Sequence, residues 1–218
     1  MIAKVMSSAV IGIDAYLLEV EVDISLGLPI FSIVGLPDLA VKESKDRVRA
    51  AIKNIGLDFP VKKITINLAP ADIKKEGSSF DLPIAIGIIV AEGIIPKEKI
   101  KELLIAGELS LDGRVKPSRG ALSIAVAAKN AGLSGVILPS ENAAEAGVVK
   151  GINVYAVETL SQVIEFINGR QAIPAMQIDL NEVFKDNSVY DDDFADVKGQ
   201  EHAKRALEIA VAGGHNIL

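Results

Sequence analysis

An α/β fold with a mixed sheet and packed helices is predicted by three stretches of the sequence. Residues 103–168 alternate short apolar strands with helical patterns, the signature of that class. Leu18, Val20, Val22 and Ile24 alternate with Glu19, Glu21 and Asp23, the period-2 pattern of a strand with one wet face. Leu82 to Ala91 is almost entirely apolar and reads as a central buried helix.

The elements follow in order. Residues 2–34 read as strands, with a turn at Gly27-Leu28-Pro29 and a strand from Ile30 to Val34. Asp38 is a good N-cap, because its carboxylate can accept from orphan backbone amides. The helix it opens runs to about Ile55, with Val41, Val48, Ala51, Ile52 and Ile55 as its buried stripe, and Gly56 ends it. Lys63 to Leu68 is a strand. Residues 74–81 form a polar loop, and Pro83 is tolerable in the next helix only because it falls in the first turn. Leu103 to Leu111 reads as one strand. Asp112-Gly113 predicts a two-residue hairpin turn with positive φ at both positions. A helix that follows Gly120 and runs to about Ala131, a strand at 135–138, a helix at 141–149, a strand at 153–157 and a helix at 160–168 complete a domain of residues 1–169.

Composition narrows the chemistry. The chain has 218 residues, half of them apolar, which suffices for one good core and an appendage. No cysteine is present, and the two histidines, His202 and His215, both fall near the C-terminus, so thiol chemistry and metal sites built on His or Cys are excluded, whereas a carboxylate-only Mg²⁺ site is not. The start lacks the pattern of a signal peptide, and the longest apolar run is too short to span a bilayer, so a cytoplasmic protein without membrane association is expected. Residues 1–170 carry 19 Lys+Arg and 20 Asp+Glu; residues 171–218 carry 4 and 9. The acidity therefore belongs to the tail. Residues 170–195, with Pro174 and Asp191-Asp192-Asp193, read as an extended acidic linker.

Local charge differs from the average. From Lys42 to Lys63 seven cations face three anions, Glu43, Asp46 and Asp58. Such a cluster suits contact with a phosphate backbone. It equally suits a solvated helix face laced by ion pairs. No aromatic side chain lies among the helix cations Lys42 to Lys53, so base stacking by that face is not expected.

The last stretch has its own logic. Ala203, Ala206, Leu207, Ala210 and Val211 form a helical stripe that Gly213-Gly214 ends. His215 to Leu218 then reads as the opening of a buried strand, and the chain is expected to continue past it. No G-x-x-x-x-G-K-[ST] occurs in residues 1–218, so ATP hydrolysis by this chain is not expected.

Three groups of residues carry a resemblance that spans essentially the whole chain. They are Ile33-Val34-Gly35-Leu36-Pro37-Asp38 with Arg47-Val48-Arg49-Ala50-Ala51; Asn67-Leu68-Ala69-Pro70-Ala71-Asp72 with Lys75-Glu76-Gly77 and Phe80-Asp81-Leu82-Pro83-Ile84-Ala85; and Val197 to Leu218. Together they resemble the N-terminal part of the ComM/YifB group of magnesium-chelatase-like AAA+ proteins. That resemblance implies a Lon-protease-domain-like α/β fold, also similar to a ribosomal-protein domain. It further implies an ATPase core opening at residues 196–218, with Val197 and Gly199 lying against adenine once that core is complete. ATP and Mg are the cofactors it implies for the longer protein, and none for this chain alone. It also implies a hexameric motor acting on single-stranded or branched DNA, in branch migration during recombination and natural transformation.

The same resemblance allows a test of peptidase chemistry. Lon carries its nucleophile in a Gly-x-Ser-x-Gly loop before a buried helix. Gly77-Ser78-Ser79-Phe80-Asp81 stands there, with Ser79 in the nucleophile position and Asp81 where a Gly belongs. The helix after Gly120 carries Ile124 where Lon has its general-base Lys. A serine hydroxyl without a base is a poor nucleophile. Lys129, five residues on, is rotated by about 140° around the helix. The expectation is a non-catalytic domain in which Ser78 and Ser79 cap the following helix. A protein-interaction adaptor is the alternative, and a Ser-dependent peptidase a remoter one. Lys42, Lys45, Arg49, Lys53, Lys62, Lys63, Lys74 and Lys75 are the candidate DNA contacts.

Overall fold

The computed structural model describes residues 2–179 and 193–217. The chain divides into two compact units, Met1–Ile178 and Asp179–Leu218.

Among the described residues, ten strands, five α-helices and one short 3-10 helix (Lys97–Ile100) build the first unit. The strands are β1 (Ile2–Ile11), β2 (Asp14–Ser25), β3 (Phe31–Val34), β4 (Lys63–Ala69), β5 (Leu103–Ile105), β6 (Glu108–Leu109), β7 (Val115–Lys116), β8 (Gly135–Pro139), β9 (Asn153–Val157) and β10 (Ala175–Met176). The helices are α1 (Leu39–Asn54), α2 (Asp81–Ala91), α3 (Ala121–Asn130), α4 (Ser140–Gly147) and α5 (Leu160–Asn168). Eight strands form one mixed, mostly parallel sheet in the order β10-β9-β8-β5-β1-β2-β4-β3, and β6-β7 is a separate hairpin.

Helices cover both faces, as the near-continuous apolar character of the inner strands requires. On one face Leu18, Val20, Val22 and Ile24 of β2 pack with the buried sides of α1, α2 and α5. On the other, Leu104, Val136 and Leu138 pack with α3 and α4 through Ala121, Ile124, Ala125, Ala143 and Ala146. Every residue of α2 is buried. Each large aliphatic side chain there contributes roughly 1.5–3 kcal/mol by leaving water. Gly87 lets α2 lie close to the sheet, since a Cβ there would come within 2.6 Å of Val22 Cγ2.

Four expectations change. The strand expected over Leu103–Leu111 breaks at Ala106-Gly107, because Gly107 N donates to Ser79 O at 2.9 Å and Gly107 O accepts from Leu82 N at 3.0 Å. Its backbone groups serve the loop before α2 instead of a sheet neighbour. The hairpin at Asp112-Gly113 is present, but only Gly113 has positive φ. Gly113 N closes a turn onto Ser110 O at 3.0 Å and Ser110 N meets Arg114 O at 2.9 Å, which makes a three-residue loop with its left-handed residue last. The linker expected from residue 170 starts too early: Ala175 and Met176 pair antiparallel with Tyr155 and Val154, so the first unit runs to Ile178. The rest of that expected linker over 180–192 lies outside the described residues.

The fourth concerns the second unit, in which α6 (Glu201–Gly213) ends at Gly214 as its stripe predicts. His215, Asn216 and Ile217 form no strand, and Ile217 is exposed; Leu218 lies outside the described residues.

Candidate functional site

The loop between β4 and α2 is tied down from three sides. Asp38 caps α1, its Oδ1 accepting from Val41 N at 2.8 Å, as expected, and its Oδ2 accepts from Gly77 N at 3.2 Å. Asp38 N donates to Lys75 O at 3.0 Å and Lys75 N to Leu36 O at 3.2 Å. Asp81, at the first position of α2, is fully buried and binds the Arg47 guanidinium of α1 through both oxygens. Leu109 N adds a third bond to it at 3.2 Å.

Burial pushes the Asp81 carboxyl above its ordinary range, while Arg47 and the Leu109 amide pull the other way. The same hydrogen bonds raise the Arg47 guanidinium. Arg47 counts only as one more cation of the cluster when the sequence is read alone. The signal that could have found its role is Asp81, a charge in the first turn of an otherwise apolar helix.

Beside this loop opens a cavity of about 1190 Å³, bounded by the β1–β2 turn, residues 76–79 and α3. Ser79 and Ile124 both line it, so the structure brings the two positions of the Lon comparison to one place. Ile124 is buried and offers no base, and Lys129 is absent from the lining, its side chain lying against Gly151. The serine cap does not form: Phe80 stands at the N-cap of α2 and no side chain caps it. Instead the Ser78 hydroxyl donates to the Glu108 carboxylate, a partner from β6. The hydroxyl of Ser79 makes no hydrogen bond among the described residues, although its carbonyl accepts from Gly107 N.

The candidate cations separate into groups. Lys42, Lys45, Arg49 and Lys53 are exposed along one stripe of α1, roughly 16 Å long at the helical rise. None of the four has a salt-bridge partner among the described residues, and Arg49 lies 5.7 Å from the centre of the Phe59 ring. Lys63, at the start of β4, is also exposed. Lys62 is engaged by Glu92 at 3.1 Å and Lys74 by Glu76 at 2.5 Å. Lys75 is a correction: it is fully buried, its ammonium donates to the Pro70 carbonyl, and burial lowers its pKa. It presents no charge to a ligand.

Val197 and Gly199 are exposed in a turn before α6. The phosphate-binding loop G-x-x-x-x-G-K-[ST] does not occur within residues 1–218. Among the described residues no group of His, Asp and Glu could hold a metal ion, and no helix is long and apolar enough to cross a membrane.

Comparison with known proteins places these features. A family profile described as subunit ChlI of Mg-chelatase matches residues 20–142, and another, described as magnesium chelatase, subunit ChlI, matches residues 193–218. Competence protein ComM of Haemophilus influenzae is 41% identical over 222 residues, covering 100% of this chain and 43% of that protein. YifB of Salmonella typhimurium is 42% identical over 219 residues, covering 100% of this chain and 42% of that protein. Lon protease 2 of Bacillus subtilis is 34% identical over 129 residues, covering 58% of this chain and 22% of that protein. The chain thus spans about two fifths of the length of the ComM and YifB relatives.

Proposed function

Because this chain belongs to the family of magnesium-chelatase subunit ChlI, with ComM and YifB among its relatives, we propose that it serves as a non-catalytic domain of an AAA+ ATPase that remodels DNA. In this reading α1 engages the DNA backbone, and the longer protein supplies ATP and Mg binding, assembles as a homo-hexamer and works in the cytoplasm on branched or single-stranded DNA during recombination.

The observation that supports the reading is the α1 stripe of Lys42, Lys45, Arg49 and Lys53, four exposed cations without salt-bridge partners among the described residues. Such a stripe matches a ladder of phosphates and carries no base-reading groups, so binding would be insensitive to sequence. Four neutralised phosphates correspond to a slope of roughly −4 in log K against log salt on duplex DNA.

The test is a fluorescence-anisotropy titration of labelled duplex and forked DNA against salt, for the parent chain and for the variant Lys45→Glu, Arg49→Glu, Lys53→Glu. Loss of binding in a variant that still melts like the parent supports the assignment. Equal affinity in the two proteins sinks it.

A further inference from the structure

Arg49 stands in the middle of the α1 stripe, with Lys45 one turn before it and Lys53 one turn after. Arg47, Arg114, Arg170 and Arg205 each hold a carboxylate. Arg49 holds none among the described residues, although Asp46 precedes it by less than one turn of the same helix. Its guanidinium carbon sits over the Phe59 ring instead, 5.7 Å from the centroid.

The fold brings Phe59 to that place. Leu57 N donates to Ile52 O at 3.2 Å, so the chain turns back at the end of α1. The Phe59 ring then stacks on Phe31 of β3, with centroids 6.3 Å apart and planes inclined by 26°. Both rings are half-buried against the core. The cations of α1 have no aromatic neighbour along the helix, and the fold supplies one from outside it. A cation over a ring at an exposed site adds little to stability. Its effect is to hold the planar, delocalised guanidinium in place while the Arg49 side chain stays exposed.

We infer that Arg49, seated on Phe59 and Phe31, is a stacking platform for an unpaired base, so that the α1 surface favours single-stranded over duplex DNA. The inference rests on the reading that α1 engages the DNA backbone. Lys42, Lys45 and Lys53 meet phosphates in either form of DNA. Only an unpaired base can be laid on the guanidinium plane, and that contact adds attraction which a closed duplex does not offer. Every base has such a face, so the preference is for strandedness and not for sequence.

The test compares two fluorescein-labelled strands of about twelve nucleotides at one salt concentration, oligo-dT and a strand built only of abasic residues. Both carry the same phosphates, so the ratio of their affinities isolates the bases. The parent chain should bind oligo-dT at least about fivefold tighter, the lower end of what one stacked base is worth. Arg49→Lys keeps the charge and removes the plane, and should bring the two affinities together. Phe59→Leu removes the ring beneath and should also narrow the ratio. Arg49→Lys, on an exposed helix face, keeps the inference testable if Phe59→Leu folds poorly. Equal affinities in the parent, or an undiminished ratio in Arg49→Lys, would overturn the inference. If the abasic strand and duplex DNA then still bind with a steep salt dependence, the stacking platform alone fails; if no DNA binds, the reading of α1 fails with it.

Discussion

Arg47 on α1 and Asp81 on α2 form a two-pronged ion pair, with Nε 2.6 Å from Oδ2 and Nη2 3.0 Å from Oδ1. Nη2 also reaches the Ala40 carbonyl at 3.0 Å. Asp81 stands where the Lon-type loop has a glycine, so this bond is what the departure from that pattern brings.

Arg47→Met should therefore destabilise the fold by about 3–5 kcal/mol at neutral pH, because it leaves a buried carboxylate unpaired. The loss should shrink on acidification. Asp81 already titrates above its ordinary range in the fold, and without Arg47 it titrates higher still. Once pH falls below that folded value the carboxyl is neutral in the native state, and the cost of burying its charge disappears. Urea unfolding of both proteins across the acid range checks this. A gap that widens toward low pH would contradict it.

Ser78 and Ser79 should respond differently to alanine. Ser78 gives its hydroxyl to a carboxylate, so Ser78→Ala should cost about 1.5–3 kcal/mol. Ser79→Ala should stay within about 0.5 kcal/mol and change no activity, since the parent should not degrade casein. Thermal unfolding and a protease assay decide both points.

Lys75 should resist acylation in the native protein while Lys42, Lys45, Lys53 and Lys63 react. Its ammonium is buried against the Pro70 carbonyl, and burial lowers its pKa. The fold thus holds fewer protons than the unfolded chain between that lowered value and the ordinary lysine value of about 10.4, and stability gains with pH across that window. Lys75→Met should remove this gain. Peptide mapping after limited acetylation and alkaline unfolding curves are the measurements.

Gly35→Ala should be among the most damaging small changes. The new Cβ would lie 2.2 Å from the Leu68 carbonyl oxygen, on a backbone already at φ +96. Strain and overpacking together suggest roughly 2–5 kcal/mol. Gly56→Ala has the same sign of φ but open space around it, and should cost only about 1–2 kcal/mol. Similar losses at the two sites would refute the steric account.

The sequence-based reading succeeds where short-range pattern governs. The alternation at Leu18–Ile24, the apolar run of α2, the Asp38 cap and the bounds of α5 are all local signals, and each is found in the structure. It misses what distant segments decide. Lys75 reads as a loop cation because nothing nearby shows that Leu36 and Asp38 will close over it. Gly107 reads as mid-strand because its partners Ser79 and Leu82 lie far back in the chain. Of the cavity, Ser79 and Ile124 are legible through the Lon-like pattern, whereas Ser8, Asp14 and Glu145 join them only through the packing of β1, β2, α3 and α4.

The short strand β10 has a consequence for how the sheet meets other chains. By pairing with β9 it closes that flank, and Ile178 N fastens the following residues to the Gly147 carbonyl at 3.0 Å. A chain cut after Gly169 would bare the β9 backbone and invite edge-to-edge aggregation. With β10 in place, β3 is the opposite border of the sheet, only four residues long and bracketed by Pro29 and Pro37. Brevity and flanking prolines both discourage strand addition, so the domain is guarded against lateral growth at both borders.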